Sequence, residues 1–259
     1  MSLEQATSTV LARREHGDHV VVLTLNAPKG NVLDGAMIAD LSAALDREVS
    51  ATTRLIVIEG AGRHFSFGAS VEEHRPDQVA TLLAAFHGLF RKLGALAVPT
   101  CAVVRGQCLG GGLELACWCT WVVATPDAKL GQPEIKLAVF PPLGSLLLPW
   151  RAGGTVGLDL CVSGRTVTAE EAWRMGIVTA VTDDPDAWWA ELVREHLSKT
   201  SASALRYTER AARITLLRQL EEELPRLEQM FIHDLMRTHD ANEGIEAFIA
   251  RRAPVYLDR

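Results

Sequence analysis

The chain has 259 residues, 48% of them apolar, and a net charge of −6. That is enough apolar material for a sizeable core, in one large domain or two small ones. An acidic balance without a Lys/Arg block excludes the electrostatic footprint of a nucleic-acid binder, leaving only local contacts to any phosphates on a substrate.

The N-terminal stretch MSLEQATSTVLARREHGDHV lacks an apolar run of signal-peptide length. The longest nearly uncharged stretch, Leu137 to Trp150, contains Pro141, Pro142 and Pro149 and is too short to span a bilayer. The expectation is a cytoplasmic protein with no membrane or nucleic-acid partner. Next, His19 to Leu25 (HVVVLTL) reads as a strand, and Asn26 to Asn31 as a turn. Asp34 can cap a helix whose apolar positions Met37, Leu41, Leu45 and Val49 recur at helical spacing. Leu55 to Glu59 is the next strand, followed by the glycine-punctuated loop GAGRHFSFGAS. In this region His64, His74 and the neighbouring Glu72 and Glu73 show no metal-ligand spacing and read as solvated loop charges. Asp77 is expected to open an amphipathic helix carrying Val79, Leu82, Leu83, Phe86, Phe90 and Leu93, which Gly94 and Pro99 end.

The central stretch is TCAVVRGQCLGGGLELACWCTWVVATPDAKLGQPE, from Thr100 to Glu134. Cys101 to Val104 reads as a strand, Gly110 to Gly112 as a glycine turn, Leu113 to Cys119 as a helix and Trp121 to Ala124 as another strand. Beyond Glu134, the apolar, proline-broken IKLAVFPPLGSLLLPW is not expected to form a regular helix. Thr168 and Glu171 make a capping box for a helix that Gly176 stops, and Ile177 to Val181 is a short strand. Asp186 begins a helix, and from Ser201 onward the chain reads helical, with interruptions near Pro225 and at Asp240 to Gly244. Strands alternate with helices up to about residue 181 and helices alone follow. That pattern gives an α/β body (1–200) with a C-terminal helical region (201–259). The five cysteines, Cys101, Cys108, Cys117, Cys119 and Cys161, lie in apolar runs without Cys-x-x-Cys spacing, so reduced thiols and no metal site are expected.

Two glycine turns follow strands. Gly110-Gly111-Gly112 fits neither a dinucleotide fingerprint, because Leu115 stands where the third glycine belongs, nor a phosphate loop. Taken alone it is a packing turn. The second turn, Phe65 to Ser70, changes that: two such loops can each present one backbone N–H to a single oxygen, forming an oxyanion hole. Glu114 sits among Gly112, Leu113, Leu115 and Ala116, where burial favours the neutral carboxyl that suits a general acid. Together with Glu134 it would titrate as a coupled pair.

These motifs resemble the crotonase (enoyl-CoA hydratase/isomerase) superfamily. The matching segments are Phe65 to Ser70, Gly106 to Ala116, Gly131-Gln132-Pro133-Glu134, Asn26 to Leu41, Thr168 to Gly176 and Glu243 to Phe248, so the similarity spans nearly the whole chain. The resemblance implies a spiral core of ββα units, a C-terminal helical trimerisation region, and homotrimers or dimers of trimers. It implies an acyl-CoA thioester substrate and no cofactor, CoA being part of the substrate. By carry-over, the Ala69 and Gly111 amides form the oxyanion hole, and Glu114 and Glu134 are the acid–base pair. Glu114 would activate water and Glu134 would deliver a proton to carbon. Phe67, Gly68, Ser70, Gly110, Pro141, Pro142 and Leu143 would bind substrate.

Both glutamates favour hydration over double-bond isomerisation, and speak against a non-catalytic scaffold. Many members have Asp where Ser70 stands, and a glycine-rich segment where this chain has Phe140 to Pro149. An apolar, stiff wall there suits a compact ring, and Phe65 to His74 (FSFGASVEEH) is similar to the cyclohexa-1,5-diene-1-carbonyl-CoA hydratases of that family.

Overall fold

A computed structural model describes residues 8–259 of the chain. Among the described residues nine strands occur in chain order: β1 (Val10–Glu15), β2 (Val20–Leu25), β3 (Leu55–Gly60), β4 (Thr100–Val104), β5 (Gln107–Leu109), β6 (Trp121–Ala124), β7 (Lys129–Gly131), β8 (Thr166–Thr168) and β9 (Ala180–Val181). A six-stranded sheet has the order β1-β2-β3-β4-β6-β9, with β1 antiparallel to β2 and the remaining pairs parallel. A three-stranded sheet, β5-β7-β8, lies beside it in the chain's path.

The strands β2, β3 and β4 are continuous apolar runs because both faces of the large sheet are covered. Val21, Leu23, Ile56, Ile58, Ala102 and Val104 face the main core. Their alternates Val20, Val22, Leu55, Val57, Cys101 and Val103 meet Trp189, Val193 and Leu197 on the opposite side. Period-two side-chain alternation divides each strand between these two cores.

The helices begin with a four-residue turn, α1 (Pro28–Asn31), and α2 (Gly35–Glu48), whose first turn Asp34 caps by accepting from the Met37 amide. The next is α3 (Val79–Leu96), which Gln78 rather than Asp77 precedes, without a side-chain cap. It runs through Gly94 and stops where Ala97 turns left-handed at φ 50°. Although long and apolar enough to cross a membrane, it buries half its length in the fold. Then come α4 (Gly111–Trp118), α5 (Gly144–Ala152), α6 (Gly154–Ser163), α7 (Ala169–Arg174) and α8 (Pro185–Leu192). The chain closes with α9 (Ala202–Ala212), α10 (Ile214–Glu222), α11 (Leu224–Gln229) and α12 (His239–Ile249).

The helix α5 corrects the sequence expectation, since Gly144 to Ala152 is helical with Pro149 inside it. Burial of Leu147 and Leu148 in the main core outweighs the proline's local cost. On α6, Gly157 lies so close that a Cβ there would sit 2.4 Å from the Pro149 nitrogen. Asp240 to Gly244 are likewise helical; the interruption falls earlier, before Thr238 caps α12. Asp184, not Asp186, caps α8. The capping box of Thr168 and Glu171 on α7 is present as expected. Leu216, Leu220 and Leu224 of the C-terminal helices belong to the main core.

A third apolar cluster, with Val79, Leu83, Val139, Phe231, Met236 and Ile245, joins α3 to the C-terminal helices. The last residues fold back on α12: the Leu257 and Asp258 amides donate to Asp240, and the Tyr256 hydroxyl donates to the Lys136 carbonyl at 2.8 Å. All five cysteines are free thiols.

Candidate active site

The site begins with Asn31, a buried residue at φ 53°. Its side-chain amide donates to the carbonyls of Ala61, His64 and Phe65, and its Oδ1 accepts from the Ala27 amide. These bonds pin the loop after β3. The Ser66 hydroxyl donates to the Asn31 carbonyl and accepts from the Gly68 amide. Leu33 then holds both neighbours of Ala69, donating to the Gly68 carbonyl at 2.8 Å and accepting from the Ser70 amide at 3.3 Å. The Ala69 N–H between them donates to no acceptor among the described residues.

The second loop is pinned the same way. The Leu109 amide donates to Ser66 and the Gly110 amide to Gly131, leaving the Gly111 N–H, at the start of α4, without an acceptor among the described residues. The two loops are in contact: a Cβ on Gly111 would lie 3.1 Å from the Ala69 nitrogen, and one on Gly68 would lie 3.2 Å from the Gly111 nitrogen. Only glycine permits this approach, and Gly68 has φ 99°. Two free amides therefore converge, one of them on the positive end of a helix.

Glu114, in the first turn of α4, is buried, and its Oε1 accepts from the Gly144 amide at 2.5 Å. Burial raises its carboxyl well above the usual range, and the nearby charge of Glu134 adds to the shift. Glu134 lies in the short helical turn Pro133–Leu137 after β7. Burial raises its carboxyl to about 7. Its Oε1 occupies the space beside Gly110, 2.5 Å from where a Cβ would stand. Its Oε2 is buried with no partner among the described residues. Two acids displaced upward together hold a proton at neutral pH and can both give and take one.

Ala69, Gly111, Glu114, Glu134 and Pro142 line one small cavity of ≈ 30 Å³. Phe67, Gly68, Gly110 and Glu134 line an adjoining space of ≈ 60 Å³. Outside it opens a cleft of ≈ 460 Å³ that reaches Phe67, Lys136, Phe248 and Arg252. Ser70, Pro141 and Leu143 line none of these spaces. Ser70 instead accepts from the Glu73 amide and shapes the following turn, and Leu143 lies in the main core.

Three residues escaped the sequence reading. His74 is no solvated loop charge: it lines both inner spaces, and its Nδ1 lies 2.6 Å from the Ser70 carbonyl. Burial lowers its pKa. His87 on α3 lines the cavity of the glutamates and is 1% exposed. Gln132 is fully buried, with neither side-chain polar atom partnered among the described residues. The only signal for Gln132 was its place in the Gly-Gln-Pro-Glu turn, and for His87 a polar residue on an apolar helix face.

Residues 15–259 match the family described as enoyl-CoA hydratase/isomerase. The chain belongs to that family. It is 41% identical to a cyclohexa-1,5-dienecarbonyl-CoA hydratase of Thauera aromatica, over 99% of this chain and 100% of the relative. It is 36% identical to a probable enoyl-CoA hydratase of Mycobacterium bovis, over 97% of this chain and 98% of the relative. Among solved structures, an enoyl-CoA hydratase from Mycobacterium avium subsp. paratuberculosis superposes with a TM-score of 0.83 at 27% identity, covering 96% of this chain and 99% of that one. An enoyl-CoA hydratase/isomerase from Xanthobacter autotrophicus gives 0.81 at 28% identity, covering 95% and 97%. The fold is thus the crotonase fold, and the chain is an enoyl-CoA hydratase-type enzyme, a hydro-lyase.

Proposed function

We propose that this enzyme adds water to cyclohexa-1,5-diene-1-carbonyl-CoA. The observation that carries the reading is the end-to-end 41% identity with the Thauera aromatica hydratase of that name. The surroundings of the carboxyl pair support it: Leu82, Phe86, Phe140 and Pro142 present a short apolar wall against which a compact ring, rather than a long chain, can rest.

In this reading the thioester oxygen accepts from the Ala69 and Gly111 amides. Addition of hydroxide to the conjugated alkene builds enolate charge on that oxygen, where two fixed donors oppose it. The pair shares one proton; in the reactive form it lies on Glu134, and the Gly144 amide offsets part of the burial that opposes the Glu114 carboxylate, which takes a proton from water as the oxygen bonds to carbon. Glu134 gives its proton to the enolate carbon. The pair ends with the proton moved from one carboxyl to the other, and exchange with solvent resets it. The outer cleft, with Lys136 and Arg252 at its rim, takes the CoA portion. Exposed Tyr207, Ile214 and Met230 on the C-terminal helices support the homotrimer, or dimer of trimers, that the family resemblance implies.

The deciding experiment is turnover of cyclohexa-1,5-diene-1-carbonyl-CoA against crotonyl-CoA in heavy-oxygen water. The expected result is labelled alcohol from both, with the ring substrate preferred at least tenfold in kcat/KM. A preference for crotonyl-CoA would overturn the ring assignment, and turnover without label would identify a double-bond isomerase.

A further inference from the structure

Two imidazoles, His74 and His87, line the inner cavity together with the carboxyl pair. The Nδ1 of His87 lies 2.6 Å from Oε1 of Glu228 on α11. Glu228 is held below the usual carboxylate range, chiefly by that hydrogen bond, so it accepts and Nδ1 donates. Nε2 is left as the ring's free nitrogen, with no partner among the described residues. His74 is fixed in the same sense, because its Nδ1–H donates to the Ser70 carbonyl and Nε2 is left as an acceptor. Both rings line the ≈ 30 Å³ cavity that also contains Glu114 and Glu134.

That volume is enough for a water, and its polar groups meet the requirement of several hydrogen-bonding partners. With the Ala69 and Gly111 amides taken by the thioester oxygen, the polar groups left in the lining are two imidazole nitrogens and a carboxyl pair that shares one proton, so acceptors exceed donors. A water brings two O–H donors and fits that imbalance; an apolar group would leave a buried nitrogen unpaired at a cost of about 1–3 kcal/mol.

We infer that His87, oriented by Glu228, is a positioning residue for the water that this site adds to its substrate: Nε2 takes one O–H while the carboxyl pair takes the other. The inference rests on the hydratase reading above but not on the identity of the acyl group. It gives the hydrogen bond between His87 on α3 and Glu228 on α11 a role in the reaction beyond tying two helices together.

The test compares wild type with His87→Leu, His87→Gln and Glu228→Gln in two reactions. One is hydration of cyclohexa-1,5-diene-1-carbonyl-CoA and crotonyl-CoA. The other is exchange of the α-proton of cyclohexanecarbonyl-CoA in heavy water, which needs the oxyanion hole and a base but no nucleophilic water. His87→Leu should lower kcat for hydration at least tenfold, leave KM within about twofold and leave α-proton exchange within about twofold. His87→Gln, which keeps an acceptor, should recover part of the rate, and Glu228→Gln should fall between His87→Leu and wild type. Equal loss in both reactions would show the pair to be a structural tie and overturn the inference. So would unchanged hydration in His87→Leu. If His87→Leu fails to fold, Glu228→Gln decides by the same comparison of the two reactions. A wild-type enzyme that adds no water to either thioester would instead sink the hydratase reading itself.

Discussion

A Cβ on Gly110 would stand 2.5 Å from Oε1 of Glu134. The glycine turn and the second carboxylate therefore occupy one another's space, and the turn does more than expose amides. Gly110 also has φ 51° and ψ −126°, a conformation that side chains resist. Gly110→Ala should displace the carboxylate and lower kcat/KM at least a hundredfold, measured by steady-state hydration, while circular dichroism shows a folded protein.

Glu114→Gln and Glu134→Gln should each lower kcat by roughly 10²–10⁴-fold, the range of a lost acid or base, with little change in KM. Single-turnover kinetics on the same thioester checks whether the loss lies in the chemical step. Equal rates in both variants and wild type would remove the pair from the reaction.

The pH dependence follows from the upward displacement of both carboxyls. Below about 7 the pair is doubly protonated and lacks its base, so kcat/KM should rise with pH through a midpoint near 7. Glu134→Gln should move that midpoint to lower pH in the residual activity, because Glu114, the base, then titrates without a second carboxylate beside it.

The same displacement predicts a stability trend. A carboxyl raised from 4.5 to about 7 on folding contributes stability that is fully present below 4.5 and is lost as pH rises through about 7. Chemical denaturation should show wild type losing on the order of 2–3 kcal/mol between pH 4.5 and 8 from this source, and Glu134→Gln losing correspondingly less.

Gly244 on α12 approaches the turn that carries Glu134 so closely that a Cβ would sit 2.2 Å from the Leu137 carbonyl oxygen. Gly244→Ala should cost roughly 1–3 kcal/mol through overpacking and should loosen the wall of the outer cleft. Thermal unfolding and KM for the CoA thioester report the two effects separately.

Much of this architecture was legible in residue order. The β-branched runs of β2, β3 and β4, the Asp34 cap and the Thr168–Glu171 capping box all carry local signals that tertiary packing reinforces. The glycine turns and Glu114 were legible because a carboxylate inside an apolar helix is conspicuous. The helix α5 was hidden because Pro149 is locally unfavourable, and only burial of its neighbours and the close approach of Gly157 reveal why it is tolerated. The three-residue strands β5, β7 and β8 are too short to show a period. The partnership of His87 with Glu228 joins residues 141 positions apart, and no local pattern announces a contact of that range. Ser70 shows the converse: its neighbours lead to the site while its own side chain closes a turn.

The folding back of the final residues has a practical consequence. Tyr256 is tied to Lys136, two positions from Glu134, and Leu257 and Asp258 are tied to α12. An affinity tag fused after Arg259 would pull on this strap and, through it, on the turn bearing the second carboxylate.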